Sequence, residues 1–177
     1  MHSFPELMAR CATYTIFKLN ETEHSTIEAL QTSGATPLVA TLKMIQMQRV
    51  IMAVGMFSLF ESILQDRLNC VDGFAAATKV LEEENETAIG EKFSDFQKAI
   101  NVLKHGRGRS YDALVAKAPK LAFNIKLPNQ TFFHEGDVSE ESAMLIEVDD
   151  QFIMNCAKTI EIVSSVIKRA RAQTWVC

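Results

Sequence analysis

The chain has 177 residues, 47% hydrophobic and 23% charged, with 7 Gly, 4 Pro and a net charge of −4. This is the length of one domain around one core, and the composition excludes a disordered, collagen-like or low-complexity polymer. Eight Met against 2 Tyr and 1 Trp favour helices over a β-sandwich, whose strands want more β-branched and aromatic residues.

The four cysteines, Cys11, Cys70, Cys156 and Cys177, form no C-x-x-C pair. They predict core thiols in a reducing compartment rather than a zinc knuckle or a disulfide scaffold. No basic segment followed by an apolar stretch opens the chain, and no long apolar run is free of charge, so a cytoplasmic protein without membrane contact is expected. The Asn-x-Thr sequons at Asn20, Asn85 and Asn129 are read as chance.

From Phe4 to about Thr32, Leu7, Cys11, Tyr14 and Phe17 recur at three- and four-residue steps and Ile27 and Leu30 follow, which predicts one long or two short helices. A break at Ser33-Gly34-Ala35-Thr36-Pro37 precedes the longest helix, from about Pro37 to Asn69, with Thr36 as its cap. Met47, Val50, Val54, Phe57, Leu64 and Leu68 lie along one of its faces. A surface helix runs from Val71 to Asn85 with Asp72 as cap. Thr87 to Lys104 forms a second core helix on Ile89, Phe93, Phe96, Ile100 and Leu103, ending near His105-Gly106. A short helix capped by Ser110 extends to about Lys117 and stops before Pro119.

The period then changes. Leu121, Phe123, Ile125 and Leu127 alternate with other residues, as do Met144, Ile146 and Val148, and this predicts a β-hairpin insert at about 120–148. A closing helix from Asp149 onward carries Phe152, Cys156, Ile160, Val163, Ile167 and Ala170 on its seam, with Lys168, Arg169 and Arg171 near its negative end. The expectation is a single all-α domain over 1–177: a bundle of five or six helices with a small hairpin before the last.

Chemistry concentrates at the end of the fourth helix. Lys98, Asn101 and His105 follow i, i+3, i+7 spacing and project from one side. They run into Gly106-Arg107-Gly108-Arg109-Ser110, where two glycines free the backbone, two arginines supply forked donors and a new helix opens. Such a turn suits an anion; it equally suits a helix cap and a tight helix-helix connection with solvated arginines. His105 is either a residue favoured by the helix dipole or a group that moves protons beside Asn101 and a phosphate. Residues 98–120 carry Lys98, Lys104, Arg107, Arg109, Lys117 and Lys120 against Asp112 alone, a local basic patch. Residues 134–150 carry seven acids and no Lys or Arg, so that segment either covers the basic turn or governs access to it.

Glu61, three or four residues from Phe57 and Leu64, is either a cleft-lining acid that positions a basic side chain or a boundary residue reaching water. His2, His24 and His134 are scattered, so no metal and no cofactor is expected. There is no nucleophile elbow and no P-loop.

The helix pattern and the stretch Asn101-Val102-Leu103-Lys104-His105-Gly106 resemble the HEPN superfamily, small helical bundles found as ribonucleases, toxins and defence components. Asn101 matches that family's polar position and His105 its histidine, and Phe57 to Leu64, with Glu61 inside it, resembles the earlier helix. The family's arginine, which precedes the polar residue, is replaced here by Ile100. The resemblance implies RNA or another phosphate-bearing ligand at Asn101 and His105, with Lys98, Lys104, Arg107, Gly108, Arg109 and Ser110 around it and Glu61 as a supporting acid. It implies metal-independent RNA cleavage as the activity, and a symmetric homodimer, with a protein antitoxin as a further partner. The alternatives are a non-catalytic protein-interaction module and a nucleotide-binding regulator.

Overall fold

The structure, a computed structural model, describes residues 3–128 and 145–174. Within them the chain forms α1 (Phe4–Leu30), α2 (Thr36–Leu68), α3 (Gly73–Glu83), α4 (Thr87–His105), α5 (Arg109–Lys117), a 3-10 turn at Ala118–Lys120, and α6 (Asp150–Thr174). The all-α bundle is therefore present, with six α-helices. α2 and α6 are central: α1 packs on both, α3 and α4 pack on both, and α5 rests on α4.

Local chemistry sets the helix ends. Ser3 accepts the Glu6 N–H ahead of Pro5, and Asp72 accepts the Ala75 N–H at 2.8 Å, as its type and position predict. Asp149 does the same for α6 through the Phe152 N–H at 2.7 Å. Two expected caps are displaced. Ala35, not Thr36, precedes α2, and Thr36 is already its first helical residue. Gly108, not Ser110, precedes α5, because the chain reaches helical geometry two residues earlier, at Arg109. Asn69 closes α2 with φ of +50°, a left-handed conformation that Asn tolerates better than most side chains.

The core is aromatic. Phe57 of α2 lies 6.3 Å from both Phe93 and Phe96 of α4, and Phe96 lies 5.3 Å from Phe152 of α6, centroid to centroid. Phe57, Phe60, Phe93, Phe96 and Phe152 are fully buried, each stabilising the fold by about 2–3 kcal/mol through surface removed from water. Cys156 sits among them, and burial pushes its thiol well above its ordinary pKa, with Lys92 offsetting part of the effect. Cys11 departs from the expected core placement: it is exposed, and Cys70 is half-buried. Cys177 lies outside the described residues.

An ionic cluster around the buried Arg49 ties α1, α2 and α6 together. Arg49 donates from Nε to Asp150 at 3.1 Å, and from Nη2 to Asn20 at 2.8 Å and Glu23 at 2.7 Å, while Asn20 donates to Asp150 at 2.6 Å. Burial opposes the Arg49 charge. The hydrogen bonds and charges of Glu23 and Asp150 outweigh it and hold the guanidinium pKa above its usual value. At the other end of the bundle Arg169 of α6 donates to Glu86, just before α4, at 2.8 Å.

The β-hairpin insert is a correction. The two segments meet only at an isolated antiparallel bridge, Ile125 with Ile146, supported by Lys126 N–H to Leu145 O at 2.8 Å and Glu147 N–H to Asn124 O at 3.1 Å. No ladder forms among the described residues, because the alternating side chains serve the core instead. Phe123 packs 5.2 Å from Phe96 and 5.3 Å from Phe152, and Ile125 and Ile146 are buried. The connecting residues 129–144 lie outside the described residues.

Candidate functional site

α4 ends at His105, where Gly106 takes φ of +74° and donates its N–H to Val102 O at 2.8 Å. That left-handed step costs a glycine little and turns the chain away from the α4 axis. Arg107 and Gly108 span the gap, and the Asp112 N–H closes the first turn of α5 on Gly108 O at 3.0 Å. The N–H groups of Arg109, Ser110 and Tyr111 precede that first intrahelical bond, so they lie at the positive end of α5.

Asn101, His105, Gly106, Arg107, Gly108, Arg109 and Ser110 line one open hollow of about 290 Å³. The segment thus gathers amide, imidazole, guanidinium and hydroxyl groups beside a helix N-terminus, a set of donors suited to the oxygens of an anion. All but Ser110 are exposed. Arg107 lies over the ring of Tyr111, one helical turn further along the chain. Tyr111 is itself fixed by burial and by donating its hydroxyl to Lys126 O at 2.7 Å.

Asn101 also borders a second, larger hollow of about 650 Å³ between α2, α3 and α4. Glu61, Asp72 and Glu82 give it acids, Lys79 and Lys104 give it cations, and Phe57, Phe74 and Ile100 form its apolar floor. Gln97 also lines it, and its Nε2 is buried without a hydrogen-bond acceptor. Glu61 is half-buried on its wall.

Lys98 does not join either hollow. Although it shares a face with Asn101 and His105, it is part-buried and turns back to Ser94, donating to that residue's hydroxyl and, at 3.5 Å, its carbonyl. Lys104 lines the larger hollow rather than the turn. Lys117 is engaged elsewhere too, pairing with both oxygens of Asp95 at 2.8 and 2.9 Å and clamping α5 to α4. Ile100, which precedes Asn101, is 3% exposed and belongs to the core.

The described acids of the 134–150 segment are likewise occupied away from the turn. Glu147 accepts from Asn124 at 2.6 Å, Asp149 caps α6 and Asp150 holds Arg49. Glu135, Asp137, Glu140, Glu141 and His134 lie outside the described residues.

Sequence reading missed Gln97 and Phe74, because only the approach of α3 to α4 brings them to the cleft. It also missed Tyr111, which its i+4 spacing from Arg107 signals. No three His, Cys, Asp or Glu side chains cluster as metal ligands among the described residues. Comparison with known family models, curated proteins and solved structures finds no match to this chain.

Proposed function

We propose that the protein binds RNA through a backbone phosphate held at the Gly106–Ser110 turn. The observation that carries this reading is the single hollow lined by Asn101, His105, Arg107, Arg109 and Ser110 at the start of α5. Two guanidinium groups, an amide and free backbone N–H groups complement a phosphodiester, and the HEPN resemblance at Asn101 and His105 agrees with it.

The chemistry available without a metal is transesterification. His105 takes the proton of a ribose 2′-hydroxyl, the 2′-oxygen attacks the adjacent phosphorus, and the imidazolium returns the proton to the departing 5′-oxygen while Arg107 and Arg109 face the developing charge. Labelled single-stranded RNA in EDTA tests both steps. Binding should weaken steeply with salt and fall on Arg107→Ala and Arg109→Ala, each removed phosphate contact lowering the salt slope by about 0.7. His105→Ala should abolish cleavage and leave most of the affinity. Absence of RNA affinity at low salt removes the proposal; affinity without cleavage confines it to binding.

A second reading, a nucleotide-binding regulator, is favoured by the adjoining hollow. Its Phe57 and Phe74 floor, the Gln97 donor and a volume of about 650 Å³ suit one nucleoside beside the phosphate turn. Mononucleotides competing with RNA at equal concentration, and losing that effect on Gln97→Leu, would select it.

A further inference from the structure

α2 is apolar over most of its surface between Lys43 and Glu61, where Gln48 and Ser58 are the exposed polar side chains. Its inward face supplies Phe57, Phe60 and Leu64 to the core. Its outward face carries Met44, Met47, Ile51, Gly55 and Leu59 at three- and four-residue steps, and the four large side chains are 55–58% exposed. Between Lys43 and Glu61 the only charged residue is Arg49, which is turned inward. By length and composition α2 is apolar enough to cross a membrane, yet only a third of its most apolar stretch is buried in the protein. A helix apolar all round is ordinarily covered all round.

α1 packs on α2 and has exposed apolar side chains of its own, Leu7 and Tyr14 at 51% and 65%. The four large side chains on the outward face of α2, each offering on the order of 100 Å², present roughly 400 Å², about half of the ~800 Å² per partner of a standard interface.

We infer that a second copy of the chain docks on this face, α2 against α2, antiparallel about a two-fold axis at Ile51. The register follows from the residues. With Ile51 on the axis, Met44 is level with the partner's Ser58, next to its Leu59, and Met47 with the partner's Gly55, where an added Cβ would meet nothing within 4 Å and a notch is open. Lys43 and Glu61 are separated by five full turns and so lie on the same side of α2. An antiparallel two-fold sets like sides together, so each Lys43 lies about 3 Å along the axis from the level of the partner's Glu61, within reach of its long side chain. Opposite charges at the two ends of an apolar stripe suit a self-complementary pair, whereas a helix lying on lipid would be rimmed by Lys and Arg. α4 packs on the inward side of α2, so this dimer does not bring two α4 helices face to face, unlike the pairing that the family resemblance implies.

Sedimentation equilibrium of the full chain should give twice the 19.8 kDa monomer mass. Ile51→Glu should weaken association by about 100-fold or more through like charges on the axis, with unchanged circular dichroism because the site is exposed in the protomer. Lys43→Glu should weaken it as well, and the Lys43→Glu/Glu61→Lys pair should restore it. Should Ile51→Glu fail to fold, Ile51→Cys decides, in a chain whose Cys11, Cys70 and Cys177 are serine. Oxidation should link two chains through residue 51, while Met44→Cys, roughly 22 Å from its own copy, should not link. A monomer at every concentration, a dimer indifferent to Ile51→Glu, a residue 51 that does not link, or a monomer that co-sediments with phosphatidylcholine vesicles overturns the inference.

Discussion

The guanidinium of Arg107 stands 5.9 Å from the centre of the Tyr111 ring, and the Tyr111 hydroxyl is anchored on Lys126 O at 2.7 Å. A flexible side chain at an exposed turn is thereby biased toward one orientation by a ring that the core holds still. Tyr111→Leu should lower the affinity for a phosphate-bearing ligand about 3- to 5-fold, the worth of one exposed cation–π contact. Tyr111→Phe should keep that affinity and lose about 1 kcal/mol of stability with the hydrogen bond. Titration of labelled RNA together with urea unfolding separates the two.

Lys117 and Asp95 should behave unequally on truncation. Asp95 is buried to 9% exposure and Lys117 is partly open to solvent, so Lys117→Met leaves a carboxylate stranded among apolar neighbours. That change should cost about 1–2 kcal/mol, discounted for solvent screening, and the Asp95→Leu/Lys117→Met pair should recover part of it. Thermal unfolding of the single and double variants measures the difference.

Gly73 is fixed by a close approach rather than by its dihedral angles. A Cβ there would fall 2.7 Å from the backbone oxygen of Glu61 and 2.8 Å from Leu64 Cβ. Gly73→Ala should therefore push the start of α3 off α2 and destabilise the fold by about 1–3 kcal/mol. Gly34→Ala, with nothing within 4 Å of the added atom, should be near neutral in the same unfolding assay.

Cys156 gives alkaline pH a handle on stability. Its thiol is held protonated in the fold by burial, so once pH exceeds the ordinary thiol value the unfolded chain binds fewer protons than the native one. The contribution of Cys156 is complete below about pH 8.5 and then declines by up to about 1.4 kcal/mol per pH unit. Cys156→Ala should remove that part of the slope, read as the difference between the two chains in urea midpoints from pH 7 to 10. In the native wild type, a thiol reagent should label Cys11 promptly and Cys156 only on unfolding.

Helices were legible because their signals are local. Asp72, Gly106 and the Phe93–Phe96–Ile100 spacing act within a turn or two of themselves, and those ends and faces are where the pattern predicts them. The orientation of α1 was not. Its apolar stripe at Leu7, Tyr14 and Phe17 is exposed, while Met8, Ala12 and Thr26 are buried. Small side chains let helices approach closely, and periodicity tells which side is apolar without telling which side is inside. Met47 on α2 is exposed for the same reason.

The alternation at 121–127 was misleading as a strand signal, since Phe123 and Ile125 fill the core without a ladder. The smaller hollow was readable because the residues that line it, 101–110, are contiguous. The larger hollow needs α2, α3 and α4 brought together, and the tethering of Lys98 to Ser94 depends on a rotamer that spacing does not encode.

The cluster around Arg49 also bears on the order in which the chain matures. Its acid on α6, Asp150, follows it by 101 residues, so a nascent α1–α2 hairpin emerging from the ribosome holds that guanidinium with two of its three partners, Asn20 and Glu23. The cluster is completed only by the last helix, and until α6 is made the growing polypeptide exposes the apolar surfaces of α1 and α2 that α6 covers.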